Sequence, residues 1–119
     1  MSDYKFSMPW APSVNSCWLH TRNGVKLSKR GRKYRVEAIA LLDELGLSNE
    51  LIESPVSMAI VLNPPTLRRY DVDNFSKQLL DALSHAKFWV DDEQVHKLTV
   101  SKGGKVKGGR VDVTVAIID

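Results

Sequence analysis

From Tyr70 to Lys77 the chain reads Tyr-Asp-Val-Asp-Asn-Phe-Ser-Lys, and Asp91-Asp92 follows a short apolar link, Phe88-Trp89-Val90. Asp71 and Asp73 are two residues apart, so in an extended approach to a helix both carboxylates point the same way and can meet one ion. Lys77, four residues after Asp73, falls on the same helix face. There it can pair with a phosphate oxygen or stabilise a leaving alkoxide. Asn74 adjoins the second carboxylate. Asp91 and Asp92 lie beyond the helix, where the chain can return beside the first pair. Such acids suit Mg²⁺, a hard cation held by oxygen, which at a phosphodiester both activates water and neutralises charge. Without a cation the cluster repels itself.

Each residue also has a purely structural reading. Asp73 can cap a helix, Asp71 can close an Asx-turn, and Lys77 can form an i,i+4 ion pair with Asp73 or Asp81. Other metal chemistries fail on spacing. In an EF-hand loop starting at Asp71, the Gly position would be Ser76 and the final Glu position Ala82. His20, His85 and His96 lack zinc-ligand spacing, and the single cysteine, Cys17, has no partner motif.

These acids sit in a basic chain of net charge +3. Trp18 to Val36 carries seven basic residues and no acid, Lys97 to Arg110 carries five more, and Arg68-Arg69 directly precedes the acidic cluster. Two acid-free basic stretches beside candidate metal ligands point to nucleic acid. Lys29, Arg30, Lys33, Arg68, Arg69, Lys102, Lys105 and Lys107 are the expected phosphate contacts. Trp10 and Trp18 are candidates for base stacking, with core packing as the alternative.

The elements that must position these residues follow from periodicity. With 119 residues, 43% hydrophobic and 26% charged, the chain suits one globular domain spanning 1–119. A lone cysteine excludes an internal disulfide, and no apolar run reaches membrane-spanning length, so a cytoplasmic setting is expected. Tyr4, Phe6 and Met8 alternate as a strand, and Asn23-Gly24 marks a hairpin between 17–22 and 25–27. Ser28 caps a helix that runs to about Leu45 and stops at Gly46, with Tyr34, Ala38, Leu41, Leu42 and Leu45 as its apolar stripe. Val56 to Leu62 alternates as a strand ended by Pro64-Pro65. A second helix is expected from Asp73, burying Phe75, Leu79, Ala82, Leu83 and Ala86. Val95 to Ser101 and Val111 to Ile117 read as strands joined by a flexible basic hairpin tip, Lys-Gly-Gly-Lys-Val-Lys-Gly-Gly-Arg-Val. The fold class is α/β (α+β): a mixed or antiparallel sheet with two helices on one face.

Met8-Pro9-Trp10-Ala11-Pro12-Ser13-Val14-Asn15, Arg69-x-Asp71-x-Asp73-Asn74-x-x-Lys77, Asp81-Ala82-Leu83 and Phe88-Trp89-Val90-Asp91-Asp92-x-Gln94-Val95 resemble, in order and spacing, the RusA family of Holliday-junction endonucleases. The resemblance implies a small α/β subunit, a homodimer and a four-way DNA junction as substrate. It also implies Mg²⁺-dependent cleavage, with Mn²⁺ able to substitute, in recombination and repair in a bacterial or phage-type setting. By position it assigns Asp71, Asp73 and Asp92 as catalytic metal ligands and Lys77 as the catalytic lysine, with Asn74 and Asp91 in support. The chain departs from the family pattern in three places: Ala11 splits the first proline pair, Trp18 stands in a reduced aromatic stretch, and the basic run before Asp71 is only Arg68-Arg69. The competing class is a non-catalytic nucleic-acid-binding module with structural aspartates. A small-substrate metal phosphohydrolase explains the acids but leaves the basic stretches idle.

Overall fold

The computed structural model describes residues 3–118. Strand β1 (Tyr4–Met8) leads through a proline-rich loop to a one-turn helix α1 (Val14–Cys17), the hairpin β2 (Trp18–Thr21) and β3 (Gly24–Leu27), and helix α2 (Lys29–Glu44). Strand β4 (Val56–Asn63), a 3-10 turn at Val72–Asn74 and helix α3 (Ser76–His85) follow. A second 3-10 turn at Asp92–Gln94, β5 (Val95–Lys102) and β6 (Arg110–Ile117) complete the order.

The main sheet has strand order β1-β6-β4-β5, with β5 parallel to β4 and the other pairs antiparallel, so it is mixed. Strict alternation in β4 and β6 puts Val56, Met58, Ile60, Leu62, Val111, Val113 and Val115 in the core. The register Met58↔Val115, Ile60↔Val113, Leu62↔Val111 sets these side chains beside one another on one face. Helices α2 and α3 bury Tyr34, Ala38, Leu42, Leu79, Ala82 and Leu83 into the same cluster. The opposite face carries small and polar residues, Ser57, Ala59, Thr114 and Ala116.

Several boundaries differ from the sequence reading. Cys17 ends a helical turn instead of starting a strand, because Ser13 caps that turn and Ser28 N–H donates to the Cys17 carbonyl at 2.8 Å. The hairpin loop is Arg22-Asn23, with Thr21 paired to Gly24. Ser28 caps α2 as expected, and Gly46 follows it at φ +74°. Leu45 is 48% exposed, outside the buried stripe. The segment between β5 and β6 is not a hairpin tip, since β4 lies between the two strands. It crosses the end of β4, where Gly103 N–H donates to the Leu62 carbonyl at 2.7 Å and Val106 N–H to the Pro64 carbonyl at 2.9 Å. Its glycines permit that close passage: a Cβ on Gly109 would stand 2.6 Å from Trp10 Cβ.

A candidate metal and nucleic-acid site

Parallel strands need a crossover, and α3 supplies it between β4 and β5. Its two ends carry the two acidic turns. The first turn closes through Asn74 N–H to the Asp71 carbonyl at 3.2 Å. Asp71 is extended, at φ −93° and ψ 137°, so the chain enters as its spacing predicts. The helix starts later than expected, at Ser76 instead of Asp73, because Phe75 leaves helical geometry to bury its ring. That ring stands 4.7 Å from Trp10 and 5.7 Å from Tyr70. Buried Gln78 then ties the turn down, donating from Nε2 to the carbonyls of Pro12 and Asn74.

The carboxylates of Asp71 and Asp73 are exposed, and neither makes a cap hydrogen bond or an ion pair among the described residues. Their structural readings therefore lack the bonds they need. The same holds for Lys77. Asp81 is taken by Arg35, whose Nη2 and Nε donate to Oδ2 at 2.6 and 3.0 Å, with His85 Nε2 3.7 Å from Oδ1. Lys77 Nζ rests 4.5 Å over the Trp18 ring instead. A cation–π contact worth ~0.5–1 kcal/mol outweighs an i,i+4 ion pair of ~0.2–0.5 kcal/mol, so the placement is energetically consistent.

The second turn is built differently. Asp91 accepts from Glu93 N–H at 3.3 Å, and Asp91 N–H donates to Gln94 Oε1 at 2.8 Å, a reciprocal cap. Gln94 Nε2 donates to the carbonyls of Ile52 at 2.7 Å and Ser54 at 3.0 Å. Asp91 is thus a structural support. Burial, followed by the neighbouring Asp91 carboxyl and the charge of Asp81, raises the Asp92 pKa above the ordinary carboxylate range. A cation would relieve that.

Asp92 does not join Asp71 and Asp73 within one chain. It precedes β5, whose start is level with the start of β4 (Val56↔Val95), whereas Asp71 follows Tyr70, whose carbonyl receives Lys102 from the far end of β5. Helix α3, of 10 residues, rises roughly 15 Å along its axis, and the chain then returns through 86–91 to Asp92. Among the described residues, no three His, Cys, Asp or Glu side chains gather as a metal-ligand set.

Beside the first turn lies a cleft of about 560 Å³ lined by Arg30, Lys33, Arg68, Arg69, Trp10 and Asn74, among others. Two basic runs far apart in sequence converge there, with Glu37 the one acid on its wall among the described residues. Such a cleft suits a phosphate backbone.

The Endodeoxyribonuclease RusA family model matches residues 9–117. The chain belongs to the RusA family. It is similar to the crossover junction endodeoxyribonuclease rusA of Enterobacteria phage HK97, at 34% identity over 119 residues, covering 100% of this chain and 98% of that protein. The RusA of Escherichia coli strain K12 is 36% identical over 115 residues, covering 97% of this chain and 95% of the relative. The enzyme of Enterobacteria phage 82 matches to the same extent.

In this RusA-family chain the expected phosphate contacts divide into three groups. Arg30, Lys33, Arg68 and Arg69 line the cleft. Lys29, Lys105 and Lys107 are exposed outside it. Lys102 is engaged internally, donating to the Tyr70 carbonyl at 2.7 Å with Nζ 4.4 Å over the Tyr70 ring, so it anchors the loop before Asp71. Trp10 packs on Tyr70 and Phe75, and the Trp18 face is occupied by Lys77, so neither ring lies free for a base. Burial pushes the Cys17 thiol pKa up, in keeping with an inert cysteine. In the sequence Gln94 stands only within the motif that carries the family resemblance, and nothing there marks Gln78 as a tie between the turn and the proline-rich loop. Among the described residues no helix is long and apolar enough to cross a membrane.

Proposed function

We propose that this protein is a divalent-metal-dependent endonuclease that resolves four-way DNA junctions as a homodimer, in recombination and repair within a bacterial or phage-type cytoplasm. The observation that carries the reading is the pair of exposed, internally unbonded carboxylates, Asp71 and Asp73, beside a basic cleft. An all-oxygen donor set fits Mg²⁺, with Mn²⁺ able to substitute. Asp71 and Asp73 would hold the ion from one chain, and because Asp92 lies across α3, a second copy would supply its Asp92. When bound, the ion supplies activation of water and neutralisation of the phosphate.

The protein's own groups do the rest. Arg30, Lys33, Arg68 and Arg69 grip the backbone and set its register without reading bases, so selectivity comes from junction shape. Lys77 brings a positive charge to the charge that develops on phosphate oxygen. Asn74 and Asp91 hold the two turns in shape. A two-fold dimer presents two such sites to the two symmetry-related scissile strands of a junction.

A labelled four-way junction incubated with the pure protein tests this reading. Paired cuts that need Mg²⁺ or Mn²⁺ are expected. Salt-sensitive binding with no cutting in either metal would make the chain the non-catalytic binding module instead.

A further inference from the structure

We propose that Trp18 is a positioning residue for Lys77: its ring face holds the ammonium away from Asp73, leaving that carboxylate open for a cation and the charge free for phosphate. The second half of this proposal rests on the metal-nuclease reading above.

Lys77 has three neighbours to choose from. Asp81 is already bonded by Arg35 through two nitrogens and approached by His85. Asp73, four residues back in the 3-10 turn that precedes the helix, is the other carboxylate nearby in sequence, and it makes no ion pair among the described residues. Nζ lies instead 4.5 Å from the centre of the Trp18 ring.

The ring is held in place by the segment before it. Ser28 N–H donates to the Cys17 carbonyl at 2.8 Å, and Ser28 Oγ donates to the Ser16 carbonyl at 2.6 Å. Gly31 lets α2 pack directly on that segment, since a Cβ there would stand 2.5 Å from the Cys17 carbonyl oxygen. Leu19, His20 and Thr21, which continue the strand, are all exposed, whereas Trp18 is half-buried. Its indole N–H is buried with no acceptor among the described residues. A buried donor without a partner is costly, so this tryptophan is placed for its face and not for its hydrogen bond.

The free protein supplies the first readout. The ε-methylene resonance of Lys77, assigned by its loss in Lys77→Arg, should lie upfield of the other lysines through the ring current and return to their envelope in Trp18→Leu. Mn²⁺ affinity, followed by electron paramagnetic resonance, should fall in Trp18→Leu as the ammonium moves to Asp73. It should recover in Trp18→Leu combined with Lys77→Met. Junction cutting in Mg²⁺ should slow about tenfold in Trp18→Leu at unchanged junction affinity. Trp18→Phe, which keeps an aromatic face, should restore most of that rate and serves as the variant if leucine disturbs the hairpin. In a Lys77→Met background Trp18→Leu should cause no further loss. An ordinary Lys77 shift in the wild type, or an equal loss in the Lys77→Met background, would overturn the proposal. A wild type that cuts no junction overturns the nuclease reading instead, and the Lys77 resonance then decides the positioning by itself.

Discussion

The two acidic turns at the ends of α3 share a shape and differ in everything that surrounds their carboxylates. Both are single 3-10 turns, and each is tied to the body by a buried glutamine. At Asp91–Gln94 the acid and the glutamine satisfy each other's backbone, and Gln94 reaches two further carbonyls. At Asp71–Asn74 the glutamine holds backbone carbonyls, and among the described residues the carboxylates accept no cap bond. A turn can therefore be fixed without using its acids. Where this happens beside exposed arginines, the acids are available for a ligand. Sequence alone makes the two Asp-rich stretches look alike; bonding separates a supporting Asp91 from the free Asp71 and Asp73.

The largest effect should come from the free pair. Asp71→Asn or Asp73→Asn should lower metal-dependent junction cutting by at least ~10²-fold, since even outer-shell partners of a metal cost 10–100-fold. Binding of the uncut junction in a gel-shift assay should persist. Asp91→Ala should cost less activity, and it should destabilise the fold by about 1 kcal/mol through the lost cap, read by denaturant titration.

Next comes the glutamine contrast. Gln94→Ala strips partners from the buried region around Ile52 and Ser54, and should cost about 1–3 kcal/mol per orphaned group. Gln78→Ala should cost less, because Gln78 Oε1 is already unpartnered. Equal losses in thermal unfolding would remove the distinction between the turns.

Arg68→Ala with Arg69→Ala should weaken junction binding similarly across sequences. It should also lower the salt dependence by about one ion per lost contact. An unchanged slope would mean that the cleft does not hold DNA.

The smallest effect concerns an acid remote from either turn. Burial pushes Asp112 up, but hydrogen bonds from Ser7, Arg110 and Asn63 outweigh it and hold the carboxyl below its usual range. Its stabilising contribution is present above the unfolded carboxylate pKa and lost as pH falls through the folded value. Asp112→Asn should therefore be less stable than wild type at neutral pH, with the gap closing on acidification.

Strands and helix ends were legible where local chemistry decides them. The alternation of Val56–Leu62 and Val111–Ile117 gave two strands, and Ser28 and Gly46 bracketed a helix. Non-local choices were hidden. β6 pairs with β4 and β1 instead of with its neighbour in sequence, β5, so the glycine-rich segment crosses β4 where a hairpin was expected. Phe75 delays α3 because its ring packs on Trp10, 65 residues earlier in the numbering. The candidate ligands and Lys77 were visible by type and spacing. The convergence of Arg30 and Lys33 with Arg68 and Arg69, the occupation of Lys102 by Tyr70, and the distance of Asp92 all depend on tertiary contacts.

That distance yields the most direct test. Asp73→Asn and Asp92→Asn proteins, each inactive alone, can be mixed under conditions that exchange subunits and assayed on a four-way junction in Mg²⁺. If one metal site takes Asp71 and Asp73 from one copy and Asp92 from the other, the mixed dimer carries one intact site and one doubly altered site. Cutting of a single strand should then return. A mixture as inactive as its components, despite demonstrated subunit exchange, would contradict a site shared between copies.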